Sequence, residues 1–199
     1  MRPDQVLPLQ TERLSLRAVR PDDGPFFFQL YADWRVAQWL LRTPTPFNEE
    51  HARAFVAHAI AELRTQSAYT LVIEAIPAAR PVGLIVLRIP ANDPERFAEE
   101  RVEDQGLGIL GYTILPDAWG QRYASESAAR MLGFAFDTLG LDRVQASPLQ
   151  ANIASRRILE RLGFTIVEAD ILEEPLHGGP PQRGDCYLLR RAAWLHRRG

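Results

Sequence analysis

Cysteine is almost missing from this chain. Cys186 stands alone, so no disulfide can close within the chain and no cysteine-based zinc site can be built. An excess of one charge is missing too. With 23 Lys+Arg against 25 Asp+Glu, the formal net charge is −2, which gives no global pull toward nucleic acid or an anionic membrane. No run approaches the ~20 apolar residues that span a bilayer. The start, Met1 to Gln5, carries an acid and leads into no apolar stretch, so no signal peptide is expected. There is no internal repeat and no low-complexity tract. The four histidines (His51, His58, His177 and His196) include one pair on a shared helical pattern, His51 and His58. They lie two turns apart, too far for a close metal pair, so no metal is expected. From these absences a reduced, cytoplasmic protein is expected.

What is present is ordinary globular material. The composition is 46% hydrophobic and 24% charged, and 199 residues suit one domain, expected to cover 1–199. Thr11 to Val19 alternates apolar and polar residues as a half-buried strand does. Asp22 and Asp23 offer N-caps for a helix carrying Phe26 to Tyr31, and Asn48 offers one for a second helix. In that second helix Ala52, Phe55, Val56, Ala59, Ile60 and Leu63 share a face. Tyr69–Ile76 and Val82–Ile89 read as a hairpin around a Pro-Ala-Ala-Arg-Pro turn. Residues 91–105 are acid-rich and read as an exposed loop. Leu107 to Leu115 reads as a strand with a bulge or a close backbone approach at Gly108 and Gly111. A helix follows from about Ala124 to Leu139, then a strand at 143–146. Another helix runs over 152–162 and stops at Gly163, and strands follow at 164–171 and 186–190. Pro175 to Gly184 is too rich in Gly and Pro for regular structure. The order β-α-α-β-β-β-α-β-α-β-β predicts a mixed α/β domain.

The informative stretch is GYTILPDAWGQRYASE. Pro116 breaks a strand, and a short turn through Gly120 enters a helix directly. Such a junction leaves backbone N–H groups unpaired at a positive helix end, where an anion such as pyrophosphate fits. Taken alone, this turn is better explained as an ordinary strand-to-helix turn with no ligand. A second block follows, Asn152-Ile-Ala-Ser155-Arg-Arg-Ile-Leu-Glu-Arg-Leu-Gly163-Phe164. At this separation the two blocks resemble the acetyl-CoA motif of the GNAT superfamily. They are most similar to its ribosomal-protein-alanine/serine N-acetyltransferase branch, whose signature resembles GYxLxPxxWGxGYAxEA followed by ANxxSxRxLExLGF. The opening TERLSLRAVRPDD is similar to that branch as well, so the resemblance covers nearly the whole chain.

The resemblance implies a GNAT fold: a mixed, mostly antiparallel central sheet with two splayed strands, flanked by helices. It implies transfer of an acetyl group from acetyl-CoA, the co-substrate, to a primary amine by direct attack. The backbone of Thr113 and Ile114 would hydrogen-bond the pantetheine arm. Trp119, Gly120, Gln121, Arg122, Tyr123, Ala124 and Ser125 would cradle the pyrophosphate. Asn152 would bond pantetheine or hold the groove open, although its position equally suits a plain N-cap. Ser155 would sit near the thiol and serve as general acid. A base after the following strand points to Glu173 or Glu174, for each of which a solvated-loop role is the stronger expectation.

Two departures from the family stand out. Arg122 occupies a position where glycine is usual. It could fit a helical dihedral and add charge beside the phosphates, or it could crowd the cofactor. Ile109 stands where many relatives have glutamate, and Leu159 where many have a tyrosine thiol donor. These departures keep two alternatives open: a non-catalytic CoA-binding or regulatory module, and use of another acyl donor such as succinyl-CoA.

Other candidates weigh less. Asp185 and Tyr187 lie near where an acceptor would enter, but structural hydrogen bonding is the expected role. Cys186 reads as a small buried hydrophobe rather than an acyl carrier. The acidic loop (Asp93, Glu95, Glu99, Glu100, Glu103, Asp104) reads as solvated surface rather than a steering patch. Trp34, Trp39 and Phe26 to Phe28 read mainly as core, with one or two at a pocket rim. The basic tail carries no nucleic-acid motif. The expected partner is an amine, either a small molecule or a protein N-terminus. A homodimer is compatible with the sequence, though no residue pattern calls for one.

Overall fold

The computed structural model describes residues 6–92, 105–176 and 179–198. The acidic loop and His177 therefore lie outside the described residues. Eight strands form one sheet: β1 (Leu9–Gln10), β2 (Leu14–Ala18), β3 (Ala68–Ala75), β4 (Arg80–Arg88), β5 (Leu107–Ile114), β6 (Arg143–Ala146), β7 (Thr165–Glu173) and β8 (Gln182–Arg190). Their spatial order is β1-β2-β3-β4-β5-β6-β8-β7. Every neighbouring pair is antiparallel except β5–β6, which is parallel. A parallel pair needs a crossover, and helix α4 (Tyr123–Gly133) supplies it.

Both faces of the sheet are covered, so its central strands are apolar on both sides. On β3, Leu71 and Ile73 enter one core while Val72 enters the other. The first core lies under α4, α5 (Ile153–Leu162) and α6 (Arg191–His196), and holds Met131, Phe134, Leu159 and Trp194. The second lies under α1 (Gly24–Ala32), α2 (Trp34–Ala37) and α3 (Glu49–Thr65). There Phe27, Tyr31 and Phe55 form an aromatic cluster with ring centroids 4.8–6.4 Å apart. Asn48 caps α3 as expected, its Oδ1 accepting from the His51 N–H at 2.9 Å.

Several expectations are corrected. Asp23 does not cap α1 with its side chain. Its carboxylate faces back to β2 and receives the Arg17 guanidinium through two bonds of 2.7 Å, together with the Arg20 N–H. A buried cation captures the acid before the helix can. No bulge interrupts the β4–β5 register. Gly108 marks a close approach instead, since a Cβ there would stand 2.8 Å from both Leu87 and Leu141 side chains. The helix from α4 changes to a π-turn at Phe134–Thr138 before Gly140. Gln182–Gly184, inside the segment read as irregular, belongs to β8 and pairs with β7. Strand β1 and helices α2 and α6 are additions that short, weakly periodic segments did not reveal.

Candidate active site

Strand β5 pairs with β6 only from Leu107 to Ile109. Beyond that point β6 ends at Ala146, and among the described residues the stretch of β5 from Leu110 to Ile114 has no strand partner on that side. The Leu115 N–H donates to Val82 O on the β4 side at 2.9 Å. Alternation along a strand then turns the backbone of Thr113 toward β4 and that of Tyr112 and Ile114 toward the opening. Of Thr113 and Ile114, only Ile114 thus presents its backbone at the splay, and Tyr112 is its companion there. The Ile114 carbonyl accepts from the Trp119 indole N–H at 2.8 Å, which pins the start of the following loop.

That loop runs through a 3-10 turn at Pro116–Ala118 into Gly120 and Arg122, both left-handed, with φ of +79° and +63°. Arg122 is thus not helical, contrary to the more favourable expectation for it. A non-glycine residue in this region costs roughly 1–2 kcal/mol. Its side chain is exposed and forms no ion pair among the described residues. The left-handed residue lets α4 begin abruptly at Tyr123, with its first N–H groups facing outward. Ser125 and Glu126 close the turn, the Ser125 hydroxyl and the Glu126 N–H both reaching Arg122 O.

The sequence reading missed the buttress beneath this loop. Arg13, just before β2, donates to Glu126 of α4 through Nε at 2.9 Å and to the Gln121 carbonyl at 3.2 Å. Its guanidinium lies 5.2 Å from the Tyr123 ring centroid. Thr11 Oγ1 donates to the other Glu126 oxygen. Partial burial opposes ionisation of Glu126, but the bonds from Thr11 and Arg13 hold its carboxyl below the usual range. Arg13 and Glu126 lie more than a hundred residues apart, so no local pattern pairs them.

At the other side of the splay, Asn152 caps α5, its Oδ1 accepting from the Ser155 N–H at 3.1 Å. Ser155 Oγ lies 3.0 Å from Tyr112 Oη of β5. Burial pushes the Tyr112 phenol up to about 12, against the opposing effect of the Ser155 bond. The phenol therefore stays protonated at any working pH.

Glu173 ends β7 and stands 3.5 Å from Arg42, in the connection between α2 and α3. The Leu176 N–H donates to Leu41 O beside it, stitching this segment to the helices of the second core. Glu174 is exposed and has no partner among the described residues. Asp185 is buried, accepting from Gln150 Nε2 at 2.7 Å and from the Asp170 N–H at 3.1 Å, and the Gln150 bond leads in holding its carboxyl low. Tyr187 accepts from Arg156 and donates to Glu160. Both are structural linkers. Burial raises the Cys186 thiol, so no thiolate nucleophile is prepared there. Phe27 is core, whereas Trp34 and Phe28 reach the surface.

Comparison with known proteins gives a family. The model described as "Acetyltransferase (GNAT) domain" matches residues 13–165. The FsC-acetyl coenzyme A-N(2)-transacetylase of Aspergillus fumigatus is 33% identical over 120 residues, which are 57% of this chain but 47% of that protein. The match thus spans less than half the length of that relative. Among solved structures, spermidine N-acetyltransferase from Vibrio cholerae, in complex with CoA and spermine, superposes with a TM-score of 0.75 at 18% identity, covering 93% of this chain and 99% of that one. Ribosomal-protein-S5-alanine acetyltransferase from Vibrio fischeri gives 0.74 at 15% identity, with 93% and 97% covered. No helix among the described residues is long and apolar enough to cross a membrane. The match over most of the chain, on a sheet splayed beside two helix N-termini, makes this chain a member of the GNAT acetyltransferases, enzymes that move an acetyl group from acetyl-CoA to an amine.

Proposed function

We propose that the chain acts as one cytoplasmic domain that binds acetyl-CoA across the β5–β6 splay and transfers its acetyl group directly to a primary amine. The observation that carries this reading is the edge of β5 from Leu110 to Ile114, unpaired among the described residues and opening against the first turns of α4 and α5. An extended pantetheine arm can add to that edge as a strand would, on the backbone of Tyr112 and Ile114. The N–H groups of Tyr123, Ala124 and Ser125, with Gly120 and Gln121, receive the pyrophosphate. Arg122, whose side chain has no ion-pair partner among the described residues, supplies a cation beside it.

The chemistry asks for position more than for reactive side chains. The amine lone pair forms the C–N bond as the C–S bond breaks and its electron pair passes to sulfur. Ser155 donates a hydrogen bond to the departing thiolate and keeps its own proton, while the surplus proton on nitrogen leaves through a carboxylate or water and ends on sulfur. Of the two glutamates, Glu174 has no side-chain partner among the described residues and is the one proposed as base, whereas Glu173 is paired with Arg42. The three relatives named above act on different amines, so the acceptor is proposed only as a primary amine, on a small molecule or a protein N-terminus.

The test is calorimetric titration with acetyl-CoA, free CoA and succinyl-CoA, followed by turnover with spermidine and an alanine-initiated peptide. Micromolar binding of acetyl-CoA is expected, and Asn152→Ala should weaken it about tenfold while costing roughly 1 kcal/mol of stability through the lost cap. Binding to none of the three would end the reading. Preference for succinyl-CoA would move the donor. Binding of acetyl-CoA without turnover of any amine would favour a non-catalytic module.

Arg122→Gly separates charge from strain. Relief of the left-handed arginine is partly offset by glycine's greater freedom when unfolded, so the melting temperature should rise by about 1–2 °C. Acetyl-CoA affinity should fall about threefold with the lost cation. Tighter binding would instead identify Arg122 as an obstruction.

A further inference from the structure

The serines of α4 behave as helical hydroxyls usually do. Ser125 and Ser127 donate to carbonyls of their own turn, Arg122 O and Ala124 O, at 2.9 and 3.1 Å. Ser155, in the first turn of α5, does not fold back. Its hydroxyl faces across the splay to Tyr112, and its N–H is held by Asn152. The residue is thus fixed at both ends by groups outside its own helical ladder, one from the loop before α5 and one from the strand that borders the opening.

The direction of the Tyr112–Ser155 bond decides what Ser155 can do. A serine hydroxyl has one proton; if that proton is given to Tyr112 Oη, none remains for another acceptor. Tyr112, kept protonated by burial, must place its own proton. Two acceptors are within reach, Ser155 Oγ at 3.0 Å and Ser155 O at 3.3 Å. We propose that Tyr112 is a positioning residue: by donating to Ser155 Oγ it turns the Ser155 proton into the groove, toward the sulfur of the bound cofactor. This rests on the reading of Ser155 as the group that faces the thiol. The phenol keeps its proton throughout, because a group titrating near 12 does not yield it to a thiolate of ordinary value ~8.5. Its contribution is orientation, and polarisation of the Ser155 O–H once negative charge builds on sulfur.

Orientation of a donor toward a thiolate can be read without any acceptor amine. Free CoA bound to the protein is titrated, and the ultraviolet absorbance of its thiolate is followed against pH. In the unaltered protein the bound thiol should titrate below free CoA. Ser155→Ala should raise it by about one pH unit, the scale of one hydrogen bond to a charged group. Tyr112→Phe should raise it by about half as much, with the affinity for CoA and the melting temperature little changed. The double variant should titrate with Ser155→Ala alone, since a residue acting through Ser155 has nothing left to act on. A Tyr112→Phe protein indistinguishable from the unaltered one, or equal shifts in both backgrounds, would overturn the proposal while leaving Ser155 at the thiol. A Ser155→Ala protein with an unshifted thiol would remove both readings together.

Discussion

Replacing Arg17 by methionine should destabilise this protein by about 4 kcal/mol at pH 7. Arg17 is buried on β2 between two carboxylates, Asp23 at 2.7 Å through both terminal nitrogens and Glu74 of β3 at 2.6 Å. Methionine fills much of the same volume, so the loss is not mainly a cavity. It is electrostatic: the buried Asp23 and half-buried Glu74 carboxylates are left with no cation between them, and the Ala18 carbonyl loses a donor. A chain of this size loses about 2–4 °C per kcal/mol, so the melting temperature should fall by roughly 8–16 °C. The pH dependence identifies the cause. Burial by itself would raise the Asp23 carboxyl, but the Arg17 bond and the Arg20 N–H hold it below its usual value. A depressed carboxylate contributes stability above its unfolded value of about 3.9, and that contribution disappears as pH falls through the folded value. In Arg17→Met burial is opposed only by Arg20, so Asp23 should titrate higher than in the unaltered protein. The two proteins should therefore differ most near pH 7 and converge only as the pH falls below about 4, through the depressed folded value of Asp23. A difference that stayed constant with pH would mean that packing, not charge, dominates the site.

That triad also marks the limit of what the sequence discloses. Asp23 stands where a helix cap belongs, and local rules assigned it there; only the tertiary approach of β2 redirects it to Arg17. Helix α3 was legible because Asn48, the acidic first turn and a continuous apolar face all agree. β7 and β8 were blurred for the opposite reason. β7 is mostly solvent-exposed, its register with β8 shifts twice, and Asp170 takes a left-handed φ of +60°. Such a strand carries no clean alternation to read. The same contrast runs through the site. The turn at Gly120 and the cap at Asn152 announce themselves by local spacing, because helix termini need those residues nearby. The Arg13–Glu126 buttress and the Tyr112–Ser155 bond join distant segments, and nothing in either segment requires its partner. The left-handed backbone at Arg122 was hidden as well, since arginine gives no hint of a conformation that glycine would signal.

Ser155→Ala should lower the rate of acetyl transfer by about 10²-fold, near 2.7 kcal/mol in the barrier, with little change in KM for acetyl-CoA. The separation of kcat from KM follows from what the hydroxyl touches. Affinity for the cofactor rests on the phosphate loop, the backbone of the β5 edge and Asn152, none of which binds it through Ser155 Oγ. The charge it meets exists only as the C–S bond breaks, so its removal is felt in the transition state rather than in binding. The fold should tolerate the change. Alanine is the better helix former at this position, and the Asn152 cap receives the backbone N–H, which is retained. The partly buried Tyr112 hydroxyl keeps an acceptor as well, since the backbone carbonyl of residue 155 already lies 3.3 Å away. A protein that melts normally, binds acetyl-CoA normally and turns over a hundredfold more slowly would place Ser155 at the leaving group. If the rate were unchanged under the same conditions, the thiolate would have to leave on solvent alone, and catalysis would reduce to holding amine and thioester together.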